Sequence, residues 1–286
     1  MKLYRYIPAL DRTKSCKLDE PKLYGGMLEN LRNARLQLAH PASFNDPLEA
    51  IIPYKFIEQG KIVSPNLDDL KEILAEHLDF ADWTTARAKR ILEGLPFGIT
   101  IENALMLSLS KAMDSHLMWA HYADNHRGIC LEFNFPCDFL DKVTWSEQTQ
   151  HHIKNFNLSP AFGKVNYEIE RIPIVFRDGI AGSDYNMENA LLSKPKCWEY
   201  EQEYRVLLLY PQDSKCAFGV GMDTKEWYFE YPKEWLTGIT FGMRLPNAYR
   251  KELAEYVRKA GYQNITWKEE TLANNRFEIA SEQIEI

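Results

Sequence analysis

Leu3 to Ile7 gathers aliphatic and aromatic residues around a central Arg5 and halts at Pro8, the pattern of a short opening strand. Leu23, Met27, Leu28 and Leu31 then recur near one helical face, predicting a helix over Glu20 to Asn33 that Gly25-Gly26 weakens. Arg35 to Ala39 reads as a second short strand. Pro41 to Pro47 is dense in turn formers, which puts Phe44, Asn45 and Asp46 on an ordered loop. Helical periodicity returns over Asp68 to Leu78 and Thr84 to Leu92, predicting a helical insertion at about residues 55–100.

The middle of the chain reads as strand, helix, strand: Met106 to Ser110, about Ser115 to Ala123, and Gly128 to Phe133. Lys142 to Pro160 lacks periodicity, carries His151-His152 and reads as loop. Short strands follow at Lys164 to Tyr167 and Pro173 to Phe176, then a helix from Met187 to Leu192 that ends before Lys194-Pro195. A long strand, Tyr204 to Tyr210, is followed by strands at Trp227 to Tyr231 and Gly238 to Gly242. A helix from Asn247 to Ala260 and terminal strands near Ile265 to Lys268 and Phe277 to Ile279 complete the chain. The expected fold class is α+β, with mixed, mostly antiparallel sheets and helices packed on them, as one domain spanning 1–286.

Composition supports a large core, since hydrophobic residues make up 45% of the chain and aromatics 13%. The net charge of −7 argues against a surface that coats nucleic acid, although a local basic groove remains compatible with it. Five cysteines, odd in number and without a C-x-x-C pair, indicate neither a disulfide framework nor a zinc site. With no apolar run long enough for a signal peptide or a membrane span, a cytoplasmic protein without membrane association is expected.

Candidate chemistry concentrates in Trp198 to Arg205, W-E-Y-E-Q-E-Y-R. On an extended chain Glu199, Glu201, Glu203 and Arg205 share one face while Trp198, Tyr200, Tyr204 and Val206 share the other. Neighbouring carboxylates would then lie roughly 6–7 Å apart and repel, a strain relieved by cations, solvent or a raised pKa. Arg205 is the nearest counter-ion in sequence. The plain alternative is that the glutamates cap the solvated end of a strand.

In the middle segment Trp119, Tyr122 and His126 follow helical spacing, with His121 beside them. His116, His121 and His126 are five apart, which does not align three side chains on one helix face and so gives no metal site. Trp119 suits core packing, and His121 fits either a hydrogen-bonded core position or a functional one.

The motifs F-N-D-P-x-E at Phe44 to Glu49, L-M-W-A-H-Y-A-D at Leu117 to Asp124 followed by G-x-C-L-E-F at Gly128 to Phe133, and W-x-Y-E-x-E-Y-R at Trp198 to Arg205 resemble a widespread bacterial family known only as a domain of unknown function. A more distant resemblance is to the ADP-ribosyltransferase superfamily, whose arginine-type members combine an Arg on an early strand, S-x-S on a middle strand and E-x-E leading into a late one. Arg5, Ser108-Leu109-Ser110 and Glu201-Gln202-Glu203 stand in that order.

That resemblance implies an NAD-consuming enzyme with NAD as substrate. Glu203 would hold the ribose hydroxyl and stabilise the cation formed as the nicotinamide bond breaks, and Glu201 would position or deprotonate the acceptor. Arg5 would pair with the pyrophosphate, Ser108 or Ser110 would orient the site, and Tyr6 or Tyr122 would stack on nicotinamide, with His121 and Arg205 also placed on the ligand side. By analogy the acceptor is a macromolecule, protein or nucleic acid, and the protein a toxin or phage-defence effector with an antitoxin partner.

Three alternatives stay open at this level. The pair could be Glu199 and Glu201, and Arg5 could simply make a surface ion pair. Asp46, Glu49, Glu201 and Glu203 could instead bind a divalent cation in a hydrolase or nuclease, or the cleft could belong to a non-catalytic module that binds a nucleotide or partner.

Overall fold

The computed structural model describes residues 1–11, 22–46, 51–63, 99–100, 104–155, 158–170, 174–177, 180–181, 187–209, 226–273 and 276–286. Its centre is an eight-stranded sheet whose strands are numbered here in chain order: β1 (Lys2–Ile7), β2 (Ala104–Ser110), β3 (Ile129–Asn134), β4 (Ala161–Lys164), β5 (Glu203–Leu209), β6 (Leu236–Phe241), β7 (Thr266–Leu272) and β8 (Ile279–Gln283). In space they run β4-β5-β2-β1-β3-β6-β7-β8. Only β6 and β7 pair in parallel, so the fold is α+β with a mixed, mostly antiparallel sheet.

Alternation along the strands fills both faces. Leu3 of β1, Leu105, Leu107 and Leu109 of β2, and Val206 and Leu208 of β5 join the larger core. Met27 and Leu31 of helix α1 (Gly25–Arg32) and Leu253 and Val257 of the last helix (Asn247–Lys259) pack into the same core. Tyr4 and Tyr6 of β1 project to the other face, where Met118 and Trp119 of helix α2 (His116–Tyr122) cover them. Ser115 caps α2, its Oγ accepting from the Met118 amide at 3.4 Å.

Several boundaries differ from expectation, each for a local reason. The first helix starts at Gly25, because Lys22–Leu23 is taken into a two-residue strand against Leu10–Asp11. The segment read as loop contains a strand, Thr144–Trp145, and helix α3 (Glu147–Asn155). Ser146 starts that helix, its Oγ accepting from the Thr149 amide at 3.2 Å, while His152 packs on Trp227 with ring centroids 4.7 Å apart. Its largely polar face hides the periodicity. Residues Tyr54–Glu58 and Lys61–Val63, at the start of the expected helical insertion, form an antiparallel pair of strands. Asp68 to Leu78 and Thr84 to Leu92 lie outside the described residues.

β1 and β2 pair at one position, Tyr4 with Ser110, whereas β1 and β3 pair along six. Beyond that point β1 and β2 are no longer held by a ladder, and an Arg5 Nη1 hydrogen bond to the Ser108 carbonyl, 2.9 Å long, joins them. A cleft opens at this divergence.

The turn from α2 into β3 depends on Gly128. A β-carbon there would run into the Ile7 carbonyl oxygen and lie 2.8 Å from the Ala123 Cα, both backbone atoms that cannot swing aside. Gly128→Ala is expected to lower unfolding free energy by about 1–3 kcal/mol, measured by chemical denaturation; an unchanged midpoint would contradict this close approach.

Candidate functional site

The cleft has a volume of about 340 Å³, in the size class of small-ligand sites. Three neighbouring strands form its floor: β1 contributes Arg5, β2 contributes Ser108 and Ser110, and β5 contributes Glu203. Tyr122 and His121 from α2, and Phe44 and Asn45 from the loop after Pro41–Ser43, line its sides. In the β2–β5 ladder Glu203 lies opposite Ser110 and Arg205 opposite Ser108. Arg5, Tyr6, Ser108, Ser110, His121, Tyr122, Glu201 and Glu203 therefore all meet at one place, and Arg205 does not line it.

The acidic segment is not extended, as the alternation suggested. Lys196–Glu201 is a 3-10 helix, and Gln202 then takes a left-handed conformation with φ 45° and ψ 51° before β5 begins. This turn separates the three glutamates. Glu199 faces solvent and pairs with Lys196 at 2.6 Å, so the alternative pair Glu199/Glu201 is not assembled. Glu201 and Glu203 turn inward, each with a side chain 4% exposed.

Lys194, which the sequence pattern did not single out, sits between them. Its Nζ donates to Glu201 Oε2 at 2.6 Å and to Glu203 Oε2 at 3.2 Å, and stands 5.0 Å above the Trp198 ring. Arg205, wholly buried, forks onto Glu203 with Nε to Oε1 at 2.8 Å and Nη2 to Oε2 at 3.0 Å, and its Nη1 donates to the Leu191 carbonyl. Its expected place on the ligand side is therefore corrected: it lies behind Glu203 as a counter-ion. Tyr167, also unforeseen, accepts the Glu203 amide hydrogen on its hydroxyl at 2.7 Å.

The two carboxylates consequently differ. Burial alone would raise the Glu203 pKa, but Arg205 and then Lys194 outweigh it and hold the carboxyl at about 2. Glu201 moves the other way, upward, because burial and the Glu203 charge together exceed what Lys194 and a Tyr122 hydrogen bond recover. Tyr122 donates to Glu201 Oε1, and its hydroxyl also lies 3.2 Å from Asn45 Oδ1.

The remaining candidates have distinct local duties. Ser110 Oγ donates to the Glu201 carbonyl at 2.5 Å and accepts from the Ala112 amide at 2.9 Å, so it fixes the 3-10 turn to β2. Ser108 Oγ lies close enough to Glu203 to help hold its pKa down, and is buried without a full hydrogen bond among the described residues. Tyr6 donates to the Ala112 carbonyl at 2.8 Å and sets its ring edge-on to Trp119, an anchoring role. His121 is exposed at the mouth, its ring 6.3 Å from Trp198 and 6.2 Å from Tyr200. His126 lies beyond the end of α2 in a left-handed turn, where it stacks on Trp119 and bonds Glu270 at 2.6 Å.

Arg5 is not a surface ion pair. Among the described residues no carboxylate reaches it, and burial lowers its pKa to about 10. A desolvated guanidinium lining a cleft without an anion is suited to receive one. Asp46 is buried but does not line the cleft, and Glu49 lies outside the described residues. Among the described residues no three His, Cys, Asp or Glu side chains are grouped to hold a metal, and Lys194 and Arg205 already occupy the carboxylate faces a cation would use.

The depressed Glu203 pKa has a consequence for stability. Its charged form is favoured by folding, so the contribution is full above the ordinary glutamate value of 4.5 and is lost as pH falls toward about 2. Unfolding free energy should drop across that window, and Glu203→Gln should flatten the drop in urea titrations. An equally steep acid limb in the variant would contradict the ion-pair assignment.

The cysteines of the described residues, Cys130, Cys137 and Cys197, are free, and no helix among these residues is long and apolar enough to cross a membrane. Residues 118–206 match the family described as "Protein of unknown function (DUF2971)". The matched span runs from α2 to β5 and includes Tyr122, Lys194, Glu201 and Glu203. No curated protein and no solved structure matches the chain.

Proposed function

We propose that the cleft binds NAD and that the protein is an ADP-ribosyltransferase-like enzyme that modifies a macromolecule. The observation that carries this reading is the meeting of Arg5, Ser108 and Glu203 from three adjacent strands on one cleft, with Glu201 beside them. The residue types fit the substrate. Arg5 offers to the pyrophosphate a guanidinium that meets no carboxylate among the described residues, Ser108 a hydroxyl beside Glu203 to the ribose, and Tyr122 a half-buried ring to the nicotinamide.

The chemistry follows from the unequal carboxylates. As the bond between ribose C1′ and the nicotinamide nitrogen breaks, its electron pair leaves with nicotinamide and positive charge develops on the ribose. Glu203, ionised at any physiological pH and fixed by Arg205 and Lys194, is a preorganised charge for that cation. A new bond forms between C1′ and an acceptor oxygen or nitrogen, and the acceptor's proton passes to Glu201, whose raised pKa suits it to take one. A toxin or phage-defence role with an antitoxin partner is the biological setting that this activity would fit.

NAD should raise the melting temperature and release nicotinamide. Glu203→Gln is expected to lower kcat by about 10²–10³-fold, and Arg5→Ala to weaken NAD binding about tenfold or more. Absence of both a thermal shift and nicotinamide release at millimolar NAD would sink the reading.

A further inference from the structure

Lys194 is buried, with 6% of its surface exposed, between Glu201 and Glu203. Arg205 donates to Glu203 and to the Leu191 carbonyl, and among the described residues Lys194 is the one cation paired with Glu201. The backbone fixes its position: Ser193–Pro195 pairs in parallel with Asn166–Glu168, Lys194 opposite Tyr167, and Tyr167 in turn holds the Glu203 amide. The 3-10 turn that follows returns the chain so that Glu201 meets the ammonium seven residues after it.

We propose that Lys194 is the positioning residue of this site, a shared counter-ion that orients Glu201 and Glu203 toward the cleft and on which the charge state of Glu201 depends. An ammonium suits the task because its tetrahedral donors can serve two carboxylates at once, whereas a guanidinium fork favours one. The groups facing Glu201 are Tyr122 from α2, Ser110 on its carbonyl from β2, Glu203 from β5 and Tyr200 on its own turn, with Tyr167 behind Glu203. None of these is a cation, and among the described residues the positive charge in contact with Glu201 is that of Lys194. The Lys194 ammonium, 2.6 Å from Glu201 Oε2, favours the charged carboxylate, so a proton arriving on Glu201 gives up that attraction. Proton uptake is thereby opposed while a cation is present on the ligand and is released once that cation has collapsed onto the acceptor.

The timing of proton uptake rests on the NAD reading; the electrostatic role of Lys194 does not. The test is carboxyl-carbon NMR of the full chain, with Glu201 assigned by comparison with Glu201→Gln. In Lys194→Met the Glu201 midpoint should rise by about one pH unit or more, a tenfold change in proton affinity, and Lys194→Arg should restore most of it. NAD turnover by Lys194→Met should fall at neutral pH and recover as pH is raised through the new midpoint, with KM for NAD little changed. In the wild-type protein, which needs no substitution to fold, the Lys194 Cε signal should shift with the same midpoint as Glu201. A Glu201 midpoint unmoved in folded Lys194→Met, or a Lys194 signal blind to that titration, overturns the proposal. A wild-type protein that releases no nicotinamide instead overturns the NAD reading, and the carboxyl titrations still decide the role of Lys194.

Discussion

Two glutamate side chains, each 4% exposed, share one lysine ammonium beneath the cleft, and their burial constrains everything around them. An unpaired carboxylate removed from water is unfavourable by several kcal/mol, so each needs its own cation or a proton. With Arg205 committed to Glu203 and Lys194 divided between the two, Glu203 is held ionised and the Glu201 pKa is pushed upward by burial and the Glu203 charge. The division arises from geometry: the left-handed Gln202 brings a carboxylate of the 3-10 turn and one of β5 to the same side. An unbroken strand would have spaced them along an edge.

The sheet supplies the complementary charge. Because β1 leaves β2 after a single pairing, the gap exposes Arg5 to the cleft, where among the described residues the Ser108 carbonyl satisfies part of its guanidinium. Among the described residues the cleft thus has at one place a cation that meets no carboxylate, and at another two carboxylates paired with Lys194 and Arg205. A ligand with a negative group and a developing positive charge matches both, a stronger constraint than either side chain provides alone.

How much of this was legible varied with how the chain encodes it. β1, β2 and β5 were readable because each is a short run dominated by aliphatic and aromatic residues, Leu3 to Ile7, Met106 to Leu109 and Val206 to Leu209, and the capped helix α2 begins after Ser115. Arg5, Ser108 and Ser110 were therefore placed on strands that form, while Glu203, expected just before a strand at Tyr204, opens β5 itself. The conformation of Trp198 to Glu201 was misread because E-x-E alternation mimics a strand, and nothing local signals that a non-glycine will adopt the left-handed region. Lys194 was invisible for a different reason. In a polar stretch beside Pro195 it has the appearance of a solvated lysine, and its burial is imposed by Tyr167, Trp198 and two glutamates brought in by tertiary structure. Helix α3 was missed because its buried contribution is Thr149, not an apolar stripe.

The most direct measurement is a crystal structure of the protein with a non-hydrolysable NAD analogue. The account predicts the diphosphate against the Arg5 guanidinium and the nicotinamide ribose within hydrogen-bonding distance of Glu203, with Lys194 still joining both glutamates. An analogue bound away from this cleft at saturating concentration would contradict it.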